Sequence, residues 1–157
     1  MNILIVVAHP DDETMGMGGT IKKLSKNNEI SLCVLSDGAS AQYDDKKMIK
    51  IRQDACKKAG KILGISEFHF FDFPDMKLDS IPHVEINKEL EKIVKFFNPK
   101  ILYSTSYNDL NKDHQKVFES CSIISRPISS KIKQFFCFEI GGRNKIPFNP
   151  NTYVDIS

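Results

Sequence analysis

Three carboxylates and an imidazole lie within five consecutive residues near the N-terminus, in the run His9-Pro-Asp-Asp-Glu13. The apolar run 2–8 before them is typical of a buried parallel strand, and a helix is expected to begin directly after them. The dipole of that helix offsets part of the repulsion among the carboxylates, and a bound cation would offset more. The run therefore predicts a metal site in which His9 and Asp12 supply two ligands.

A second polar cluster, residues 108–114, follows the fourth apolar strand in the same way. Because loops at the carboxyl ends of parallel strands share one edge of a sheet, His114 can supply the third ligand. Asp113 can orient an imidazole or another ligand through a hydrogen bond. Asp11, beside a ligand but pointing differently, can take a proton from a metal-activated water. Two histidine ligands favour zinc over magnesium.

Simpler explanations exist for each of these residues. The first motif alone could be a helix cap, and His114 alone could be an ordinary residue at a helix N-terminus. Their joint occurrence after two buried strands favours a shared site. Arg52 lies on a helical segment, where it is either a surface arginine or a clamp for an anionic or polar substrate. His69 and His83 are expected to be packing or surface residues outside the site.

Apolar runs alternate with segments of helical periodicity, and this predicts a Rossmann-like parallel α/β sheet with helices on both faces. Gly64 is expected to cap the second helix. The predicted strands are 2–8, 29–35, 68–71, 101–104 and 133–139, and the predicted helices are about 13–27, 46–63, 83–97 and 113–124. Residues 151–157 resemble the beginning of a further strand, so we expect a single domain over 1–157 whose C-terminal part is short or truncated.

Charge and cysteine usage narrow the choice of partner. The 22 lysines and arginines nearly cancel the 20 aspartates and glutamates, so no overall field favours nucleic acid or an anionic membrane. The four cysteines show no CxxC spacing, which indicates reduced residues in a cytoplasmic protein. The apolar run 3–8 is too short for a signal peptide or a membrane span. A small molecule is the expected partner.

The motif residues resemble a known family. His9-Pro-Asp-Asp-Glu13 with the glycines that follow it, and Asp109-Leu-Asn-Lys-Asp-His114, are similar to the LmbE-like (PIG-L) superfamily of zinc-dependent N-acetylglucosaminyl deacetylases. The resemblance extends over essentially residues 1–157. It implies zinc ligation by His9, Asp12 and His114, Asp11 as general base, and Asp113 as support for the histidine of the second motif.

The same resemblance implies a reaction. The chain is expected to remove the N-acetyl group from an N-acetylglucosamine-type derivative, which is either a small molecule or lipid-linked. Many members have a histidine where this chain has Asn111, whereas a branch found with polysaccharide biosynthesis is similar to this chain and has the asparagine. Asn111 is expected to hold the oxyanion. Arg52 or Glu139 is expected to contact the sugar. Two alternatives stay open: a metal- and sugar-binding protein without turnover, and a metal-dependent phosphoesterase; an oligomer is compatible with either.

Overall fold

A computed structural model describes residues 1–128, 130–142 and 144–157. Within these residues, five strands form one sheet in the order β3-β2-β1-β4-β5, and every neighbouring pair is parallel. The strands are β1 (Asn2–Val7), β2 (Glu29–Ser36), β3 (Glu67–Phe73), β4 (Ile101–Thr105) and β5 (Gln134–Phe138). The predicted parallel α/β architecture is thereby confirmed.

Strand β1 lies at the centre of the sheet. Its residue Ile3 pairs with Ile30 of β2 on one side and with Ile101 of β4 on the other. The continuous apolar sequence of β1 explains this position, because a central parallel strand is covered on both faces. Residues 3–8 are fully buried. The first motif therefore follows the central strand of the sheet rather than one of the two outermost strands.

Helices cover both faces of the sheet. The helices are α1 (Asp12–Leu24), α2 (Lys47–Leu63), α3 (His83–Phe97) and α4 (Lys112–Ile124), and a 3₁₀ turn lies at Leu78–Ser80. Ile5 of β1 packs in one core with Ile21 of α1, while Val6 packs in a second core with Leu90 of α3 and Val117 of α4. Alternate residues of one strand thus serve the two opposite cores.

The boundaries agree with the sequence patterns except at a few ends. Helix α3 was predicted at its observed bounds, and Gly64 caps α2 in a left-handed conformation with φ 98°. Helix α1 ends at Leu24, earlier than predicted, and is kinked at Met17, where φ is −145°. No helix in these described ranges is both long and apolar enough to span a membrane.

The expected strand at residues 151–157 is wrong. The segment has no regular secondary structure and runs along α1, where Ile156 packs over Gly19 and the carbonyl of Ser157 accepts a hydrogen bond from Lys23. A strand needs a neighbouring strand to satisfy its backbone groups, and a helix surface offers none. Instead of pairing with a strand, the segment packs the apolar side chain of Ile156 against helix α1.

Candidate metal centre

The first motif turns sharply between β1 and α1. The backbone amide of His9 donates to Asp12 Oδ2 at 2.9 Å, so the carboxylate of the helix start folds back onto the strand end. Gly38, in the loop after β2, has φ 65° and packs so closely on Pro10 that any Cβ at this position would collide with the proline ring. The neighbouring loop therefore fixes the position of the motif.

The structure brings the three predicted metal ligands together. His9 Nδ1 lies 3.2 Å from His114 Nε2. Asp12 bridges them, with Oδ2 at 3.4 Å from His9 Nδ1 and Oδ1 at 3.3 Å from His114 Nε2. His114 is fully buried, Asp12 is 1% exposed and His9 is 9% exposed. Ligand atoms of the three residues all lie within 4.8 Å of one another.

The chemistry of this donor set fits zinc. Two imidazole nitrogens that face each other at 3.2 Å repel when both are unprotonated, so the pair needs a shared cation or proton. Catalytic zinc sites use three protein ligands drawn from histidine and carboxylate, and they leave further positions open. His9, Asp12 and His114 are such a set, and His9 and Asp12 also line a cavity of about 140 Å³ that opens to solvent.

A buried aspartate that the sequence reasoning did not assign orients His114. Asp109 is 2% exposed, and its Oδ2 lies 2.7 Å from His114 Nδ1. Because Nδ1 is engaged in this hydrogen bond, Nε2 faces His9 and Asp12. The other oxygen, Oδ1, accepts from the amide of Asn111 at 2.8 Å. Asp109 stands within the second motif, and the available signal was an acidic side chain five residues before a ligand histidine.

Two further carboxylates hold the other ring nitrogen of His9. Its Nε2 lies 3.2 Å from Asp75 Oδ1 and 3.3 Å from Asp113 Oδ2. The Asp113 carboxylate also accepts from the amides of Met76 and Leu78, at 2.8 and 2.9 Å. Asp113 therefore does contact an imidazole, but it is that of His9 rather than that of the second motif's His114. Asp75 was missed, although it follows β3 at the same sheet edge as the other clusters.

The carboxylates around the two imidazoles change their protonation. Burial disfavours the charge on His9, but hydrogen bonds with Asp113, Asp12 and Asp75 outweigh burial and raise its pKa to about 11. Burial likewise opposes the charge on His114, yet its contacts with Asp12 and Asp109 raise its pKa. The pKa of Asp12 is lowered, since hydrogen bonds from both histidines outweigh its burial. The raised pKa values of His9 and His114 favour protonated imidazoles when no metal ion is bound, and a bound cation would replace this positive charge.

The predicted base and clamp lie beside this cluster. Arg52 Nη2 of α2 donates to Asp11 Oδ2 at 3.1 Å, so the predicted clamp contacts the predicted base. The side chain of Asp11 is 50% exposed and that of Arg52 is 25% exposed. Both line the 140 Å³ cavity together with Asn111. The position of Asp11, outside the buried ligand set yet adjacent to it, agrees with the expected geometry.

The oxygen and the nitrogen of the Asn111 side-chain amide have different contacts. Its Oδ1 accepts from the amide of Asp113 at 2.8 Å and so caps α4. Its Nδ2 points elsewhere and lies 3.6 Å from the sulfur of Met76 at the cavity. The cap fixes the orientation of the amide, which leaves the NH₂ group as the part that can donate to a ligand.

Three other residues lie away from the cluster. Glu139, a predicted sugar contact, accepts from Asn144 Nδ2 at 2.6 Å and lines a different cavity beside Gly16, so the structure does not bring it to the three ligands. His69 lies near Glu67 and His83 near Glu119, at 3.6 and 2.9 Å. The four cysteines are free thiols.

Comparison with known proteins places this geometry in a family. The model of the family described as PIG-L, GlcNAc-PI de-N-acetylase, matches residues 4–123, which include both motifs. The chain belongs to this family. The PIG-L match does not specify a branch, so the polysaccharide-type branch stays a prediction.

Individual relatives agree with the family match. Diacetylchitobiose deacetylase of Thermococcus kodakarensis is 31% identical over 106 residues, which are 64% of this chain and 39% of that protein. The structure of N,N'-diacetylchitobiose deacetylase from Pyrococcus horikoshii matches with a TM-score of 0.69 and 25% identity, over 80% of this chain and 51% of that one. A conserved protein of Thermus thermophilus shares the fold, with a TM-score of 0.79 and 21% identity over 99% of this chain and 71% of its own. This PIG-L chain spans about half or less of the length of these two diacetylchitobiose deacetylases.

Proposed function

We propose that this PIG-L protein is a zinc-dependent hydrolase that removes the N-acetyl group from an N-acetylglucosamine-type sugar derivative. The observation that carries the proposal is the buried set of His9, Asp12 and His114, whose ligand atoms lie within 4.8 Å of one another beside an open cavity. Relatives named as deacetylases of acetylated amino sugars support the choice of substrate class.

A second group of residues could also hold a cation, and its contacts argue against it. His9, Asp75 and Asp113 offer ligand atoms within 4.8 Å of one another. However, both oxygens of Asp113 already accept backbone amides, and this group has one imidazole where the first has two. Zinc prefers the set with two imidazoles. We assign the metal to His9 Nδ1, Asp12 and His114 Nε2, and we assign Asp75 and Asp113 to orienting His9.

The residues around the cavity account for the steps of amide hydrolysis. Zinc held by His9, Asp12 and His114 would supply a Lewis acid for the amide carbonyl and for the attacking water. Asp11 removes a proton as the water oxygen bonds to the carbonyl carbon, and it returns that proton to the nitrogen as the C–N bond breaks. Asn111 Nδ2 donates to the negatively charged oxygen that develops in between. Acetate and a free amine leave.

Arg52 is proposed to bind the sugar. Its guanidinium reaches the cavity and pairs with Asp11 at 3.1 Å, which leaves N–H groups of the guanidinium available for hydroxyl or anionic groups of a substrate. The contact with Asp11 also limits the rotation of the proposed base. The sugar contact expected at Glu139 stays a prediction. The Glu139 side chain lines a different cavity from the one that Arg52 lines.

A substitution of the base tests the proposal. Asp11→Asn should reduce kcat for acetate release by about 10²–10⁴-fold, while the bound zinc stays the same, because Asp11 removes a proton and holds no metal. Asp79→Asn, an exposed aspartate of the 3₁₀ turn, is the matched control and should keep both activity and zinc. Acetate release and zinc content are measured on the same samples. Unchanged release by Asp11→Asn would reject Asp11 as the base.

The wild-type protein separates the alternatives. Acetate release from N-acetylglucosamine derivatives supports the deacetylase, whereas hydrolysis of phosphoesters alone supports a phosphoesterase. Zinc and sugar binding without release of acetate supports a binding protein without turnover. We further propose a cytoplasmic protein with reduced thiols, which a fractionation experiment tests, and the oligomeric state stays open.

A further inference from the structure

Met76 adopts an unusual backbone conformation next to the metal cluster. Its φ is 56°, and in the described ranges only one other residue besides glycine has a positive φ, Asn98. Asn98 is the C-cap of α3, where this conformation is common for asparagine. Met76 is at no helix end, and left-handed backbone is unfavourable for a side chain of this kind because its Cβ crowds a carbonyl oxygen.

The contacts of residues 75–78 explain why the conformation persists. The amide of Met76 donates to Asp113 Oδ2 at 2.8 Å, and the amide of Leu78 donates to Asp113 Oδ1 at 2.9 Å. Asp75, directly before Met76, lies 3.2 Å from His9 Nε2. The backbone turn thus brings a carboxylate to His9 and two amides to Asp113. A glycine would allow the same turn without strain, so the methionine side chain is not needed for the turn itself.

The side chain of Met76 is the apolar part of an otherwise polar cavity. It is 53% exposed, and its sulfur lies 3.6 Å from Asn111 Nδ2. Among the lining residues that the structure describes, Gly38 has no side chain, and every side chain other than that of Met76 carries nitrogen or oxygen. The polar lining residues are His9, Asp11, Asp12, Gln42, Arg52, Asp75 and Asn111.

An N-acyl group has one apolar end, and the cavity offers one apolar side chain to receive it. We infer that Met76 determines acyl-chain specificity, because its thioether chain contacts the acyl methyl group and closes the space beyond it. This inference rests on the proposed function. The methyl carbon is one bond from the carbonyl carbon, so both must lie in the cavity of about 140 Å³. The acyl oxygen and nitrogen face the polar residues, which leaves Met76 for the methyl group.

Variants of Met76 and a series of acyl groups test the inference. The substrates are N-acetylglucosamine and its N-propionyl and N-butyryl analogues. For the wild type, kcat/KM should fall at least about tenfold from acetyl to butyryl, since each methylene at a fitted apolar contact has an effect of this order. Met76→Gly should reduce this preference by about tenfold, whereas Met76→Leu, which keeps an apolar side chain, should retain it.

The outcomes separate the two hypotheses. If the wild type hydrolyses none of the three amides, the proposed function is overturned. If it hydrolyses them and Met76→Gly keeps the wild-type preference, only the role of Met76 is overturned. The glycine variant relieves the strained backbone, and its thermal unfolding temperature should be equal to or higher than that of the wild type.

A direct measurement detects the contact without turnover. The protein has five methionines, so methyl-¹³C methionine labelling gives few signals, and the one lost in Met76→Leu belongs to Met76. For the zinc-loaded protein, N-acetylglucosamine should shift this signal, while glucosamine, which lacks the acyl group, should not. An unshifted Met76 signal in the presence of saturating N-acetylglucosamine contradicts the contact.

Discussion

Replacement of Asp109 by asparagine should weaken zinc binding without unfolding the protein. The two oxygens of Asp109 hold two different N–H donors, His114 Nδ1 at 2.7 Å and the amide of Asn111 at 2.8 Å. Asparagine has the same shape, but it has one oxygen and one NH₂ group. One of the two donors must therefore face another donor, and if the donor is His114, its imidazole loses the partner that directs Nε2 toward the metal.

The size of the effect follows from the contact that is lost. Removal of a hydrogen-bond partner behind a ligand histidine typically weakens metal affinity by about 10–100-fold. Since a tenfold change corresponds to about 1.4 kcal/mol, the expected loss is about 1.4–2.8 kcal/mol. A hydrogen bond to a charged group contributes about 1.5–3 kcal/mol, which is the same order. Because His114 is fully buried and Asp109 is 2% exposed, solvent screens the hydrogen bond between them very little.

The assay is a zinc titration in competition with a chromophoric chelator. Glu119→Gln is the matched control, because Glu119 lies 2.9 Å from His83 in another histidine–carboxylate pair that is far more exposed and outside the cluster. This control should bind zinc like the wild type. If Asp109→Asn, with unchanged circular dichroism, also binds zinc as tightly as the wild type, the proposed role of Asp109 in orienting His114 for zinc binding is refuted.

Two further predictions concern protons and packing. Zinc must displace the proton of His9, whose pKa is about 11 because hydrogen bonds with its carboxylate partners outweigh burial. Protonation of His9 stabilises the metal-free fold fully below about pH 6.5, the ordinary pKa of histidine, and this stabilisation decreases as the pH rises toward 11. Because zinc competes with this proton, zinc affinity should rise by up to about tenfold per pH unit over the same range. Calorimetry in buffers of different ionisation enthalpy should record about one released proton per zinc, and a value near zero contradicts this. Gly60→Ala should lower the free energy of unfolding by about 1–3 kcal/mol, because a Cβ would lie 2.5 Å from the Phe68 ring. Gly18→Ala, where the nearest atom is at 3.9 Å, should be neutral or stabilising by up to about 1 kcal/mol, and equal urea unfolding midpoints for the two variants would refute the packing argument.

The predicted elements agree with the structure because their signals are local. The continuous apolar run of β1 and the periodicity of α3 each require burial of one pattern of side chains, whatever the rest of the chain does. The segment 151–157 misled the sequence reasoning for the same reason. Its alternating pattern fits a strand, but only the tertiary structure shows that its neighbour is a helix.

By itself, the sequence determined that two polar clusters follow two parallel strands, and the shared sheet edge then brought His9, Asp12 and His114 together. The tertiary structure decided which nitrogen each imidazole turns inward, because the partners Asp109 and Asp75 stand on loops whose paths depend on packing. The positions of strands along the chain can be inferred from periodicity, but the direction of a buried side chain is set by the atoms that surround it.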